Sequence, residues 1–229
     1  MMSARYGQTS TPSNCQIAQI GVRAGARGAP SFCLKYSMIR ESAPETAAGS
    51  FAPSLSLSKL WMCKLLKQLM RKNNINEFNQ VYSLGSWYGN MALFMLLTHV
   101  PFKVLVDVDT DAQPLEISQA AFDRLAPRKR IISICEDANH LRYVCSPPSL
   151  VINNSTNNMR NEGWFDGIPR GTVVALQGRS DEPQNELNTC RSLGEFDRQY
   201  PLRQTAFVGT LSLEDPGDKY DRWMKIGLK

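Results

Sequence analysis

A chain of 229 residues with 42% hydrophobic and 21% charged side chains is large enough for one globular domain with an extension. Of the net charge of +5, a share of +3 sits in residues 1–50, and a basic leader on a near-neutral body is only a weak footprint for nucleic acid. No apolar run approaches the ~20 residues of a membrane span, and the opening MMSARYGQTSTPSNCQ lacks a secretory apolar core, so the sequence reads as cytoplasmic and not membrane-bound.

Residues 1–55 are rich in Ser, Ala, Gly and Pro and lack periodicity. They read as an N-terminal extension, with a lid over a site or an organelle-targeting segment as alternatives. Residues 56–229 form the expected domain. Its first element, SLSKLWMCKLLKQLMRK (56–72), predicts a helix with Leu57, Leu60, Trp61, Leu65 and Leu69 inward. Lys59, Lys64, Lys67, Arg71 and Lys72 then form a solvated basic face. A strand at 81–84 leads through LGSWYG to an apolar helix at 90–98. The strand KVLVDVD (103–109) precedes a helix from Pro114 to about Leu125, with proline suited to a first turn. Strands follow at 130–137, 149–155 and 171–179, and RSLGEFDRQYP reads as a helix. Two last strands, 203–213 and 221–229, are separated only by a short loop.

Strand–helix alternation implies a parallel sheet with helices on both faces, and the closing pair implies an antiparallel hairpin at one edge. In such sheets ligands bind beyond the C-terminal strand ends, where strand order reverses. Gly85 and Gly89 flank Trp87 and Tyr88 in the turn after the first strand, and glycines there allow close approach to a ligand. Asp107 or Asp109 ends the second strand, where a carboxylate can accept ribose hydroxyl protons. The turn is one glycine short of G-x-G-x-x-G and carries bulky aromatics, which argues against NAD or FAD.

In order and spacing, LGSWYG, LVDVD, ICEDA, LVINNS and the terminal hairpin resemble the class I S-adenosylmethionine-dependent methyltransferases over about residues 60–229. The resemblance implies a Rossmann-like fold with a seven-stranded, mostly parallel sheet and a C-terminal antiparallel hairpin. It implies S-adenosylmethionine as cofactor or substrate and no metal. By position, Gly85, Ser86 and Gly89 would line the methionine portion, and Asp107 would hold the ribose, with Asp109 as the alternative. Asp137 and Ala138 would border the adenine, and Asn153, Asn154 and Ser155 would face the reacting end. Trp87, Tyr88 and Trp164 would offer ring faces to the sulfonium. NNS in place of a D/N-P-P-aromatic motif counts against a DNA-base substrate.

Other constellations carry less. DVDTDA (107–112) lacks the glycine and glutamate of a calcium loop, having Ala112 and Ser118 at those places. The six cysteines include no C-x-x-C pair and read as reduced thiols. His140 is either a general base or a solvent-facing residue. Arg179, Arg191 and Arg203 are either carboxylate ligands or solvated surface.

Three functions follow. The first is methyl transfer to a small molecule. The second is attack on the γ-carbon of S-adenosylmethionine, as in enzymes of the azetidine-2-carboxylate synthase type, with Asn154, Ser155 or Tyr88 orienting the amine. The third is a non-catalytic nucleoside-binding module. The oligomeric state is left open.

Overall fold

The computed structural model describes residues 52–180, 187–215 and 218–229, so nearly all of the expected extension lies outside the described residues. The helix α1 (Pro53–Lys72) starts on a proline, whose missing N–H costs nothing in a first turn, and ends on Arg71 and Lys72. Its fully inward stripe is Met62, Cys63, Leu66 and Met70, with Leu60, Trp61, Leu65 and Leu69 packed beside it and partly buried. Lys59 departs from expectation. It precedes Cys63 by one helical turn, so it lies on the inward stripe and is buried.

The strands are β1 (Phe78–Leu84), β2 (Phe102–Asp109), β3 (Arg130–Cys135), β4 (Ser149–Asn153), β5 (Val173–Arg179), β6 (Gln204–Asp215) and β7 (Asp218–Leu228). They form one seven-stranded sheet in the order β3-β2-β1-β4-β5-β7-β6. The first five run parallel, and β7 is inserted antiparallel between β5 and β6. The chain therefore steps outward from β1 to β3 and then returns to the other side of β1. That reversal puts the switch point at the C-terminal ends of β1 and β4, where Leu84 lies opposite Asn153.

Side-chain alternation divides the core. Val81, Leu105, Leu150, Ile152 and Ala175 face α1, α2 (Asn90–Leu97) and α3 (Ala112–Leu125). The helix α2, NMALFMLL, is apolar on every side, as a helix enclosed by neighbours must be, and Asn90 through Met95 are all buried. Asp111 caps α3 by accepting from the Gln113 N–H, and Pro114 sits in the first turn as expected.

The opposite face differs from the expected helical cover. Between β3 and β4 the chain is irregular, and Pro147 and Pro148 deny it a continuous helix. It is pinned instead through Tyr82, whose hydroxyl accepts from the Val144 N–H at 2.9 Å and whose ring meets Tyr143 edge-on at 5.2 Å. The rest of that face is covered by the short α4 (Gly163–Asp166) and α5 (Leu193–Gln199) with an aromatic cluster of Trp164, Phe165, Phe196, Tyr200 and Trp223. Among the described residues no helix is long and apolar enough to cross a membrane.

Candidate active site

The turn after β1 holds three left-handed residues in five: Gly85 at φ 60°, Trp87 at φ 49° and Gly89 at φ 66°. Glycine adopts this conformation freely, whereas a bulky side chain costs of order 1 kcal/mol. Asp109 offsets that cost. Its Oδ2 accepts from the Trp87 N–H at 2.8 Å and its Oδ1 from the Asp111 N–H at 3.1 Å. The Ser86 N–H donates to the Val108 carbonyl at 3.1 Å, tying the turn to the end of β2.

Gly89 is required for room as well as for φ. A Cβ there would meet the Phe122 ring at 2.5 Å and Asp107 Oδ2 at 3.1 Å. Gly89→Ala is expected to destabilise the fold by about 2–4 kcal/mol, combining left-handed strain with overpacking. A fall in the urea midpoint at unchanged slope measures it.

The two aspartates of β2 occupy different environments, although both follow Leu105 in the alternation. Asp107 lies inside the strand, beneath Gly89 and Phe122, and is fully buried. Desolvation pushes its carboxyl up to about 7; the Ser83 hydroxyl, its register neighbour, lowers it and Asp109 raises it. Ser83 is close enough to be felt electrostatically, yet neither carboxylate oxygen has a partner within hydrogen-bond geometry. Asp107, expected against the ribose, thus lies behind Gly89 and Phe122, one pleat deeper than Asp109. Asp109 ends the strand, partly exposed, beside the turn.

Trp87 and Tyr88 also part company. The Trp87 indole is 50% exposed, whereas Tyr88 is buried in the core facing the three long helices. A left-handed Trp87 throws one ring outward and lets its neighbour pack inward. Trp164 is fully buried against Phe165 and Tyr200 and is core, not part of a ring cage.

Facing the turn from the end of β4, Ser155 and Met159 lie over Gly85 at 3.4 and 3.5 Å from where its Cβ would stand. Asn153 is buried and turns back to accept the Ser155 N–H through Oδ1 at 2.9 Å. Asn154 is buried too, and its carbonyl accepts from Arg222 Nη2 at 2.8 Å. Ser86 Oγ, Asn153 Nδ2 and Asn154 Oδ1 are buried and have no hydrogen-bond partner. Each such atom costs about 1–3 kcal/mol if nothing satisfies it. Their gathering at the ends of β1 and β4 is what a polar ligand site requires.

At the end of β3, the Glu136 N–H donates to the Asp109 carbonyl at 2.9 Å, placing the next residues beside the same carboxylate. Asp137 Oδ1 is taken up by the Asn139 N–H and amide at 2.9 Å each, which leaves Oδ2 for a ligand donor. Ala138 is buried. His140 is exposed and Arg179 stacks on Tyr220 at 3.9 Å, so neither is gathered to the turn. Among the described residues no group of three or more His, Cys, Asp or Glu could hold a metal ion. Two surface depressions lie elsewhere: about 600 Å³ between α3 and β3, and about 670 Å³ by the N-terminal end of β1.

Beyond the expected residues, the structure adds Met159 over Gly85 and a buried polar group formed by Lys59, Gln177 and Arg222. Gln177 Nε2 donates to the Ser58 carbonyl at 3.0 Å, joining β5 to α1. The sequence signal for Lys59 was its helical spacing to Cys63, Leu66 and Met70.

Matches to solved structures agree with this topology. The [4+2]-cyclase SpnF superposes with a TM-score of 0.54 at 11% identity, covering 73% of this chain and 80% of that one. Magnesium protoporphyrin IX methyltransferase from Synechocystis PCC 6803, with bound S-adenosylmethionine, gives 0.53 at 11% identity, covering 74% and 79%. This chain has the class I methyltransferase fold. Coclaurine N-methyltransferase, bound to N-methylheliamine and S-adenosylhomocysteine, shares the methyltransferase fold at a TM-score of 0.53 and 11% identity, covering 73% and 72%. By sequence the chain matches no protein-family profile and no characterised relative.

Proposed function

We propose that the protein is an S-adenosylmethionine-dependent enzyme that transfers a methyl group to a small molecule. The observation that carries this reading is the set of orphaned polar atoms on Ser86, Asn153 and Asn154 at the switch point, with the partly exposed carboxylate of Asp109 at the end of the adjoining strand. The residues present fit the cofactor. Each Asp109 oxygen accepts one backbone N–H, from Trp87 or Asp111, and keeps a second acceptor site, enough for two sugar hydroxyls. Ser86 and Asn153 supply a hydroxyl and an amide for the amino-acid end, along the close approach that Gly85 permits. Asp137 Oδ2 and buried Ala138 border the base.

When bound, S-adenosylmethionine supplies a methyl carbon made electrophilic by a positive sulfur. The exposed Trp87 ring can face that charge, worth about 0.5–1 kcal/mol at a solvated site. Asn154 and Ser155 orient the acceptor. Positioning and exclusion of water are the protein's main contributions, which is why no strong acid–base pair is needed at the turn.

A second reading, γ-carbon attack by the cofactor's own amine, stays open because SpnF, with the same fold, is a cyclase. In that step an N–C bond forms, the C–S bond breaks with its electron pair kept by sulfur, and the amine loses its proton to solvent. Incubation of the full chain with S-adenosylmethionine, with and without a metabolite pool, separates the readings by mass spectrometry. S-adenosylhomocysteine appearing only with the pool supports methyl transfer. Methylthioadenosine formed without it supports γ-carbon attack. Neither product, with binding retained, reduces the protein to a nucleoside-binding module.

A further inference from the structure

We propose that the outer edge of β6 is an interface for a second copy of this chain, which pairs with it antiparallel across a two-fold axis near Gly209 and joins two seven-stranded sheets into one. This surface is independent of the proposed function, since it lies at an edge of the sheet and not at the switch point.

The two edges of the sheet are built differently. β3 is one edge, six residues long, and α3 closes it. Gln119 Oε1 accepts from the Ser133 N–H at 3.0 Å, and its Nε2 donates to the Ile131 carbonyl at 3.1 Å. A side chain thus takes backbone groups that another strand would use. β6 is the other edge, 12 residues long, and it pairs with β7 along one side. Among the described residues no hydrogen bond from another element reaches its backbone. Exposed edges are ordinarily blunted by proline or by charge, most often lysine. Residues 204–213 read QTAFVGTLSL and hold neither. The bulge between Thr205 and Phe207 lies near one end and leaves 207–214 in regular pairing.

The strand is also held firmly as a template. Phe207 meets Trp61 of α1 edge-on at 5.6 Å, and its ring lies over Gly209, where a Cβ would stand 2.7 Å from it. On the opposite face Val208, 41% exposed, is followed by exposed Thr210 and Ser212.

Charge names the occupant. Arg203 precedes the uncharged run and Glu214 follows it, and both are exposed. A parallel copy would bring like charges together at both ends. An antiparallel copy brings each Arg203 towards the Glu214 of the other, because the extra residue of the bulge sets the two level. An axis at Gly209 places Val208 opposite Thr210 and Phe207 opposite Leu211, each pair on one face. Such a contact is self-complementary and consumes the open edge of both copies, so it closes at two. The axis is normal to the sheet and reverses strand direction. The two switch points therefore face opposite ways, and neither copy covers the other's.

The test is sedimentation velocity of the full chain over roughly 1–100 µM, with hydrogen exchange at both ends of that range. Wild type is expected to pass from monomer to dimer, and the β6 amides to become protected as it does. Thr210→Lys puts a cation in the middle of each edge and is expected to weaken the dimer about tenfold or more. Arg203→Glu, the second variant, sets like charges at both ends and should weaken it too. Both are expected to keep the urea midpoint of the monomer and an S-adenosylmethionine affinity within about twofold of wild type. A wild type that stays monomeric at about 100 µM, or a dimer that survives both substitutions, overturns the proposal. So does β6 protection that is equal at all concentrations, which would put another part of the same chain on that edge.

Discussion

Asp109→Ala is expected to weaken S-adenosylmethionine binding by about 10- to 100-fold, whereas Asp107→Asn leaves it within about twofold. The contrast follows from position along one strand. Asp109 ends β2 with its oxygens turned to the backbone of the glycine turn, accepting from Trp87 and Asp111. Two hydrogen bonds from sugar hydroxyls to a carboxylate are together worth roughly 1.5–3 kcal/mol net, the source of the expected loss. The alanine variant also frees the Trp87 amide, which relaxes the left-handed turn. Asp109→Asn, which keeps an acceptor for that amide, should fall between wild type and alanine. Equal affinities for wild type and Asp109→Ala, measured by calorimetry, would remove Asp109 from the site.

Asp107→Asn has its large effect on stability instead. Burial holds the folded-state carboxyl at about 7, against 3.8 for the free group. The folded state therefore binds a proton more tightly than the unfolded chain between those values. Its favourable contribution is complete below pH 3.8 and is lost as pH rises through 7. The gap corresponds to roughly 4 kcal/mol at 1.36 kcal/mol per unit, of which relaxation and water entry leave about 2 kcal/mol to be observed. Asp107→Asn is expected to match wild type near pH 4 and exceed it by about 2 kcal/mol at pH 8. Urea unfolding at both pH values measures the difference. A variant no more stable at pH 8 would mean that Asp107 is paired or hydrated when folded.

The strands were legible because apolar runs bounded by turn residues need little context. VYSL, KVLVDVD and GTVVAL all became central strands, and the short loop before DRWMKIGLK correctly gave the terminal hairpin. What escaped was decided by packing between elements. Alternation alone leaves Asp107 and Asp109 equivalent, and only Gly89 and Phe122 closing over the former separates them. The outward Trp87 and inward Tyr88 depend on one backbone φ that no periodicity encodes. After the strand expected at 130–137 the sequence offers only a short polar stretch, and nothing in it shows that its prolines and scattered apolar residues pack as a strap held by Tyr82. The charge of Lys59 points to the surface, whereas its helical spacing to Cys63, Leu66 and Met70 points inward, and the spacing decides. Ser86, Asn153 and Asn154 were singled out from their order along the chain; their unsatisfied atoms emerge only when β1 and β4 lie side by side.

Calorimetric titration of the full-length protein with S-adenosylmethionine is the most direct test of a nucleoside site at this switch point. The account predicts saturable one-to-one binding in the micromolar range that Asp109→Ala weakens. Absence of binding heat at millimolar cofactor, across two temperatures, would contradict it.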